Sequence, residues 1–391
     1  LRQREALDRI IRAFSRIPLE KIQTTPLMLM RLALYQMVHM DRVPDFAAIN
    51  TAVDLAKKEK GQKTAGFVNA VLRKSVNGYA DLALPDPSLN PAQYLSVRYS
   101  MPDWLTRRWL DNWGFEKTKA LMDRISRIPA ITIRTNTLKT DRQTLTRVLS
   151  EQALSAAPTR YAAQGLRFSR PGQAIADMPA FQDGWFQVQD EAAQLVSEWL
   201  APRPGERVLD ACAGLGGKTG HLAQLMENQG HITALDTDGR KLTHLEEAAR
   251  RLDIRIIKTR KLDILKTGIN DFDTYFDRVL VDAPCSGLGV IRRNPDTRYK
   301  RRPSDITRLC GRQKKFLNAA ANLVKPGGSM VYAVCSCEPE ENHQVVTAFL
   351  KKRKDFTLAG RKPSGPAADL ITPEGYLKTY PLFLEMDGFF A

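Results

Sequence analysis

Two cysteine-containing segments have the residue types for nucleophilic chemistry. Asp282-Ala-Pro-Cys-Ser286 and Val334-Cys335-Ser336-Cys337 each follow an apolar run that is typical of a buried strand. A thiolate is a soft nucleophile that suits addition to C6 of a pyrimidine ring, and addition turns C5 into an enamine-like carbon able to attack a sulfonium methyl group. In that scheme Asp282 accepts a hydrogen bond from the N4 amino group of cytosine, which favours cytosine over uracil.

Two other interpretations of the cysteines stay open at this stage. A buried cysteine is commonly an inert small apolar residue, which is how we interpret Cys212 and Cys310. Cys335, Cys337 and His343 form a possible metal site, but the Cys-x-Cys spacing lacks a second paired-ligand motif, so we expect no metal. The position of Cys285 and Cys335 after strands favours the nucleophile.

A glycine-rich segment between Val208 and Thr219 predicts a strand, a tight turn and the start of a helix. A Walker A loop is excluded because Cys212 stands where its first glycine belongs, and a dinucleotide fingerprint is excluded because Thr219 stands where its third glycine belongs. The looser turn that binds S-adenosylmethionine remains, beside the plain alternative of a structural turn. Its expected contacts are Cys212, Ala213, Gly214, Leu215, Gly216, Gly217 and Lys218.

Acidic residues follow the next strands along the chain. Asp236 lies 20 residues after Gly216, where a carboxylate can accept hydrogen bonds from both ribose hydroxyls. Asp263 follows the third predicted strand and is placed for an adenine edge, and Asp282 follows the fourth. Acids at successive strand ends favour a cofactor site over a structural turn.

The elements that must position these residues alternate between strand and helix after Asp190, which predicts a mostly parallel sheet with helices on both faces. The carboxyl ends of neighbouring parallel strands share one edge, so we expect Cys285 and Cys335 to face each other there. The predicted strands are Arg207–Asp210, His231–Asp236, Ile254–Lys258, Arg278–Asp282 and Ser329–Val334.

Three domains are predicted. Residues 1–83 have apolar residues at helical spacing and no strand signal, which indicates an all-α domain. Residues 84–185 begin with a proline-rich linker and mix helix and strand patterns, and we expect this α+β segment to bind RNA. Residues 186–391 contain both cysteine motifs and the glycine-rich loop, and predict an α/β Rossmann-like catalytic domain.

The charge of the chain indicates a polyanionic partner. The sequence has 59 Lys and Arg against 43 Asp and Glu, a net charge of +16. Ten basic and two acidic residues lie between Ser286 and Lys315, directly after the Pro-Cys segment, and predict a loop that grips phosphates more than a merely solvated face. The expected RNA contacts are Arg292, Arg293, Arg298, Lys300, Arg301 and Arg302, with Arg134 extending the track.

Other classes of protein are disfavoured. The longest apolar stretch is interrupted by Arg31 and is shorter than the roughly 20 residues that a membrane span needs. Five cysteines are too few for a disulfide scaffold of this length. We therefore expect a cytoplasmic monomer. The chain opens on Leu1 and closes on Gly388-Phe-Phe-Ala391, so we expect both ends to be incomplete.

Several motifs in order resemble one known family. Asp282-Ala-Pro-Cys-Ser286, Tyr332-Ala-Val-Cys-Ser336, Glu338-Pro-Glu-Glu-Asn342 and Asp387-Gly-Phe-Phe390 are similar to those of the RsmB family of bacterial ribosomal RNA cytosine-C5 methyltransferases, the Sun/Fmu group. Gly66–Arg73 resembles the NusB-like helical domain that precedes the catalytic domain in this family. The resemblance covers nearly the whole chain.

The resemblance implies a class I methyltransferase that uses S-adenosylmethionine and acts on 16S ribosomal RNA. It implies that Cys335 is the nucleophile, that Cys285 assists release of the methylated base, and that the NusB-like domain begins upstream of Leu1. Three residues depart from the family pattern. Gly214 and Leu215 stand where Ala-Pro is usual, and Val334 stands in place of Thr. Two rival functions are the same chemistry on transfer RNA, and an RNA-binding assembly protein that keeps the fold without catalysis.

Overall fold

A computed structural model describes residues 2–168, 171–360, 366–381 and 385–391. Leu1, with which the chain opens, lies outside these ranges. The chain divides into two compact units, Leu1–Arg127 with Arg298–Lys300, and Ile128–Thr297 with Arg301–Ala391. Within the described ranges no helix is long and apolar enough to cross a bilayer.

The first unit is built on helices, as the sequence predicts for its first 83 residues. Its core contains Met30, Leu34, Val68 and Leu72, all with no exposed surface, because apolar residues recur on one face of each helix. Within residues 2–127 the helices are α1 (Arg4–Phe14), α2 (Thr24–His39), α3 (Asp45–Lys60), α4 (Gln62–Val76), α5 (Pro91–Tyr99) and α6 (Asp103–Ser126).

A small antiparallel sheet opens the second unit. Its strand order is β2-β3-β1-β4, and Ile133, Leu166 and Phe186 form the apolar layer between this sheet and its helices. This part confirms the predicted α+β class. Its elements are β1 (Ile131–Thr135), α7 (Arg142–Glu151), β2 (Ala156–Pro158), β3 (Gly165–Phe168), α8 (Pro179–Gln182) and β4 (Phe186–Val188).

A five-stranded parallel sheet follows, with strand order β7-β6-β5-β8-β9. The order reverses between β5 and β8, and such a switch point opens a crevice at the carboxyl ends of the strands. This sheet confirms the Rossmann-like prediction. Its strands are β5 (Arg207–Asp210), β6 (His231–Asp236), β7 (Ile257–Lys261), β8 (Phe276–Asp282) and β9 (Val324–Ala333).

Helices cover both faces of the parallel sheet. Alternate residues of each strand point to opposite faces, so Val208 and Leu280 pack into one apolar cluster and Leu209 and Val279 into another. The remaining elements are α9 (Glu191–Leu200), α10 (Gly217–Leu225), α11 (Gly239–Arg251), α12 (Thr297–Lys300), α13 (Pro303–Ala321), α14 (His343–Lys352), and the hairpin of β10 (Lys378–Thr379) and β11 (Phe389–Phe390).

Two predicted strands are displaced along the chain. The strand predicted at Ile254–Lys258 is β7, which begins at Ile257, and the strand predicted at Ser329–Val334 is β9, which begins at Val324. The predicted strand left out Pro326-Gly327-Gly328, which lies within β9 at a register shift opposite Phe276 and Arg278. A bulge accommodates residues that a regular ladder would not.

A buried ion network joins segments that are far apart in the second unit. Asp387 accepts hydrogen bonds from Arg292 Nε at 2.7 Å and Arg293 Nε at 2.8 Å, and Arg293 also pairs with Asp190 at 2.6 Å. Asp190 in turn accepts from the Ala192 backbone at the start of α9. The network therefore fixes the chain before α9, the chain after Cys285 and the β11 hairpin to one another.

Replacing Asp387 with Ala is expected to destabilise the protein by about 1.5–3 kcal/mol, because two largely buried guanidinium groups lose one of their two carboxylate partners and keep only Asp190. Urea unfolding measures the change. The matched control is Glu151→Ala, which removes an exposed i,i+4 pair with Arg147 and is expected to cost under about 1 kcal/mol. Equal losses in the two variants would contradict the structural role of the network.

Candidate active site

The two cysteines of the sequence motifs lie in contact. Cys285 follows β8 and Cys335 follows β9, and their Sγ atoms are 3.3 Å apart. Both side chains are half-buried. Neighbouring parallel strands end at the same edge, which is why residues 50 positions apart in the chain meet here.

The two sulfur atoms have different environments. The pKa of the Cys285 thiol is raised well above its usual range, first by its hydrogen bond with Cys335 and then by burial and nearby negative charge. Cys285 is therefore a neutral thiol that can donate a hydrogen bond to the sulfur of Cys335. Burial likewise raises the pKa of Cys337, which is 5% exposed, so this third thiol is not a competing nucleophile.

The glycine-rich loop is a tight turn that leads from β5 into α10. Gly214 and Gly216 have φ values of 57° and 81°, in the left-handed region that favours glycine. A Cβ atom on Gly216 would lie 2.4 Å from Leu245 Cγ, whereas one on Gly214 would meet nothing within 4 Å. The turn exposes 63% of Leu215 and leads directly into the amino terminus of α10.

Carboxylates stand at the ends of three strands around this loop. Asp236 Oδ2 accepts from the Gly214 backbone at 3.0 Å, and Asp236 Oδ1 accepts from the Asp238 backbone at 2.8 Å. Asp263 Oδ1 accepts from the Leu265 backbone at 3.0 Å. Each carboxylate oxygen has a second lone pair, so these residues can still accept hydrogen bonds from a ligand.

Lys218 connects the loop to the cysteine motifs. Its Nζ lies 2.6 Å from Asp282 Oδ2 and 5.0 Å from the centre of the Phe389 ring. Burial alone would lower the pKa of Lys218, but the charge and hydrogen bond of Asp282, with smaller contributions from Cys335 and Asp210, raise it. Lys218 is therefore a permanent positive charge close to the sulfur of Cys335.

Asp210, at the end of β5, is a fully buried acid beneath the loop. Its Oδ2 accepts from Thr219 Oγ1 at 2.7 Å, and Oδ1 lies 3.4 Å from the Cys212 amide. Burial raises the pKa of Asp210 to about 6, although the Thr219 hydrogen bond opposes the change. Asp210 stabilises the turn through Thr219 and the Cys212 amide, and it is not among the cofactor contacts that the sequence predicts.

Three of the residues expected to contact RNA lie in the interior. Arg134 is 1% exposed and donates to Gln189, Gln224 and the Gly217 carbonyl oxygen. Arg292 is 5% exposed in the Asp387 network, and Arg298 is fully buried and donates to the Tyr99 and Ser100 carbonyl oxygens. Each of these guanidinium groups is enclosed by protein in this conformation, and their assignment as RNA contacts stays a prediction.

The other members of the set differ in exposure. Lys300 and Arg302 are exposed, while Arg293 is half-buried in the Asp387 network. Arg301 donates to the Ser286 carbonyl oxygen at 2.7 Å and lies 3.4 Å from that of Cys285. Arg301 therefore stabilises the backbone of the Pro-Cys segment through these two carbonyl oxygens.

Sequence reasoning missed a buried polar cluster behind the cysteines. It consists of Glu341, Gln313, Ser286 and Ser336, all fully buried. The only available signal was the Glu-Pro-Glu-Glu-Asn motif at 338–342, which carries no chemistry until the fold brings it to the cysteines. In the described parts of the chain no three His, Cys, Asp or Glu side chains form a group that could hold a metal ion.

A doubly wound parallel sheet with a glycine turn after its first strand and acids after the next two has the architecture of a domain that binds a nucleoside-containing cofactor at its switch point. The comparisons with known proteins agree. A family model described as 16S rRNA methyltransferase RsmB/F matches residues 197–391, the NusB family matches residues 1–77, and an RsmF/B-like ferredoxin-like domain matches residues 101–175.

Full-length relatives support the same assignment. The chain is 37% identical over 394 residues to a probable ribosomal RNA small subunit methyltransferase B of Bacillus subtilis, covering all of this chain and 87% of the relative. Among solved structures, PH0851 aligns with a TM-score of 0.85, 28% identity, and coverage of 100% of this chain and 86% of that chain. A methyltransferase homologue from Pyrococcus horikoshii aligns with a TM-score of 0.66, 30% identity, and coverage of 78% and 97%.

The chain belongs to the RsmB/F family of RNA methyltransferases. Its NusB-like helices, ferredoxin-like segment and Rossmann-like catalytic sheet are the three parts that the family models match. The boundaries at residues 84 and 186 stay predictions of the sequence.

Replacing Asp210 with Asn is expected to stabilise the protein at pH 8 by up to about 3 kcal/mol. The folded protein, with a pKa of about 6, holds a proton that the unfolded chain, with a pKa near 3.8, has released. The free energy of unfolding therefore falls as pH rises from about 4 to 6, because over this range the unfolded chain ionises and the buried acid does not. Asn at position 210 cannot ionise, so it avoids this loss, and its side-chain oxygen can still accept a hydrogen bond from Thr219.

Urea unfolding at pH 4.5 and pH 8 measures the effect, with Asp253→Asn on the surface as the control. The gain over wild type should be small at pH 4.5 and full at pH 8. A gain that does not change with pH would show that Asp210 is not the titrating group.

Proposed function

We propose that this protein transfers a methyl group from S-adenosylmethionine to C5 of a cytosine in 16S ribosomal RNA through a covalent bond between Cys335 and C6. The observation that carries the proposal is the contact of Cys285 and Cys335 at 3.3 Å, at the same sheet edge as Asp282 and the glycine turn. The substrate is supported by the relatives, whose names describe small-subunit ribosomal RNA methyltransferases.

The residues of the crevice fit S-adenosylmethionine. Asp236 and Asp263 retain lone pairs for ribose and adenine donors, and the space in front of Gly214 is open to a ligand that lies against the backbone. The segment Cys212–Lys218 and Asp282 complete the proposed contacts. When bound, S-adenosylmethionine supplies an electrophilic methyl group.

The chemistry of the chain itself begins at Cys335. As a thiolate its sulfur forms a bond with C6 of cytosine, and the electron pair of the C5–C6 double bond makes C5 nucleophilic. Lys218 Nζ lies 2.6 Å from Asp282 Oδ2, so the lysine orients this carboxylate beside the cysteines. Asp282 accepts from the N4 amino group and distinguishes cytosine from uracil.

Release requires that the C5 proton leaves and that the bond between C6 and sulfur breaks, with the electron pair returning to Cys335. The neutral Cys285 thiol, 3.3 Å away, donates a hydrogen bond to that sulfur as its negative charge reappears. Cys285 therefore assists elimination without forming a bond to the base. Arg301 donates hydrogen bonds to the backbone carbonyl oxygens of Cys285 and Ser286, which fixes the backbone that carries the Cys285 thiol.

RNA reaches the crevice across a basic surface. Arg301 and Arg302 present charge after the Pro-Cys segment, and phosphate contacts of this kind supply affinity without base specificity. Base stacking hides C6 in helical RNA, so the target cytosine must be unpaired or flipped out before Cys335 reaches it.

Replacing Cys335 with Ala is expected to reduce methyl transfer by more than about 1000-fold, because the covalent route is lost, while S-adenosylmethionine binding changes little. The measurement is incorporation of labelled methyl into C5-methylcytosine of unmodified 16S ribosomal RNA, with transfer RNA in parallel. Cys310→Ala, a substitution of a buried cysteine in α13, is the control and should retain activity.

Wild-type rates in Cys335→Ala would exclude Cys335 as the nucleophile. Label that enters transfer RNA in place of 16S ribosomal RNA would change the substrate and keep the chemistry. If the wild type binds no S-adenosylmethionine, the chain is an RNA-binding protein with a methyltransferase fold.

Replacing Cys285 with Ala is expected to leave RNA covalently attached to Cys335, because elimination loses its hydrogen-bond donor. Denaturing gel electrophoresis with labelled RNA detects the adduct, and the double variant Cys285→Ala with Cys335→Ala should form none. An active Cys285→Ala enzyme with no persistent adduct would contradict the release role.

A further inference from the structure

Glu341 is a fully buried acid that lies directly behind the two cysteines. Its Oε1 accepts from the Ser286 backbone at 2.8 Å and from Gln313 Nε2 at 2.9 Å. Its Oε2 accepts from Ser336 Oγ at 2.6 Å and from Ser286 Oγ. These four donors are neutral and come from three separate segments, so one carboxylate joins those segments in the interior.

Two of the donor residues directly follow the cysteines in the chain. Ser286 comes after Cys285 and Ser336 comes after Cys335, and their hydroxyl oxygens are 3.2 Å apart. Fixing the residue after each cysteine restricts where that cysteine can place its sulfur. The backbone next to each cysteine is thus fixed by a serine, and both serine hydroxyls donate to the same acceptor, Glu341 Oε2.

Further contacts fix the acceptor and the Pro-Cys segment to the sheet. The Glu341 carbonyl oxygen accepts from Tyr332 Oη at 2.6 Å, so the turn that carries the acid is attached to β9. Gln313 on α13 also donates to the Pro284 carbonyl oxygen at 3.1 Å. The residues on both sides of Cys285 are therefore tied to the same cluster.

We infer that Glu341 is the positioning residue that holds Cys285 and Cys335 in contact, and that it acts through Ser286 and Ser336. The inference rests on the proposed function for its catalytic consequence, but the thiol contact itself is testable without RNA or cofactor. Glu341 lies behind the serines and touches no substrate in this arrangement.

Glu341 also affects the charge of the pair. Its negative charge is among the causes that raise the pKa of Cys285, after the Cys335 hydrogen bond, burial and the charge of Cys335. This keeps Cys285 in the neutral form that donates to Cys335. Geometry and electrostatics therefore act in the same direction.

The first test uses phenylarsine oxide, which bridges two adjacent thiols with loss of water and needs both within a few ångströms. Wild type should bind it tightly, and Cys285→Ala should bind it weakly. Glu341→Ala is expected to weaken binding at least about tenfold, because the second thiol no longer benefits from a high effective concentration. Glu341→Gln should bind almost as wild type, since its amide can accept from the Ser286 backbone and donate to both hydroxyls.

The matched control is Glu191→Ala. Glu191 is 6% exposed and accepts from the Tyr161 and Ala162 backbone amides, away from the cysteines. This variant should lose stability without losing arsenical affinity or methyl transfer. Loss of arsenical affinity equal to that of Glu341→Ala would assign the effect to general destabilisation and overturn the inference.

The second test is kinetic. Glu341→Ala is expected to lower kcat about 100-fold with little change in KM for RNA or S-adenosylmethionine, since misplacing a reacting group acts on the chemical step. Glu341→Gln should recover most of the rate. Wild-type arsenical affinity together with wild-type kcat in Glu341→Ala would overturn the inference.

Two outcomes separate this inference from the proposed function. If the wild type methylates neither 16S ribosomal RNA nor transfer RNA, the proposed function fails, while arsenical binding still decides the role of Glu341. If Glu341→Ala does not fold, Ser336→Ala removes the donor to Glu341 Oε2, together with the contacts of that hydroxyl to Ser286 Oγ and the Glu338 amide. It leaves the Ser286 and Gln313 hydrogen bonds to Glu341 in place and should lower arsenical affinity and kcat by smaller factors. No change in either quantity would overturn the inference.

Discussion

The order of the parallel strands is the constraint on which the site depends. Strand β5 is central, β8 pairs with it and β9 pairs with β8. The glycine turn and both cysteine motifs follow these three strands and therefore lie at the same edge of the sheet. A sheet with this order separates the chains leaving β5 and β8, so ligands enter there without disturbing the strand ladder. The 3.3 Å contact of Cys285 and Cys335 is a direct consequence of pairing between β8 and β9.

Charge in this protein serves two distinct purposes. Exposed residues such as Lys300 and Arg302 add to the positive potential at the protein surface. Arg134, Arg292 and Arg298 are enclosed and bind carbonyl oxygens or carboxylates that join segments of the chain. A count of basic residues in the sequence does not separate exposed from enclosed residues, because burial depends on contacts that the local sequence does not encode.

The fold was predictable where local pattern and topology agree. Strands β5 and β6 begin and end where the apolar runs predict, since each is a central strand bounded by turn residues. Strand β7 lies at the edge and contains Lys258, Arg260 and Lys261, so its apolar signal is weak and its start was misplaced. The start of β9 was hidden by Gly327 and its neighbours, which form a bulge that only the partner strand reveals.

The residues of the candidate site also separate into those that the sequence predicts and those that only the fold reveals. Cysteines and carboxylates after strands were identifiable because strand ends are ligand positions in any doubly wound sheet. Glu341 was not, because its significance lies in four hydrogen bonds that converge from segments 5 to 55 residues away. A reactive pair of thiols needs such support, since a thiol placed by its own backbone alone samples several rotamers. Residues that act through others are therefore the part of an active site that sequence patterns reveal last.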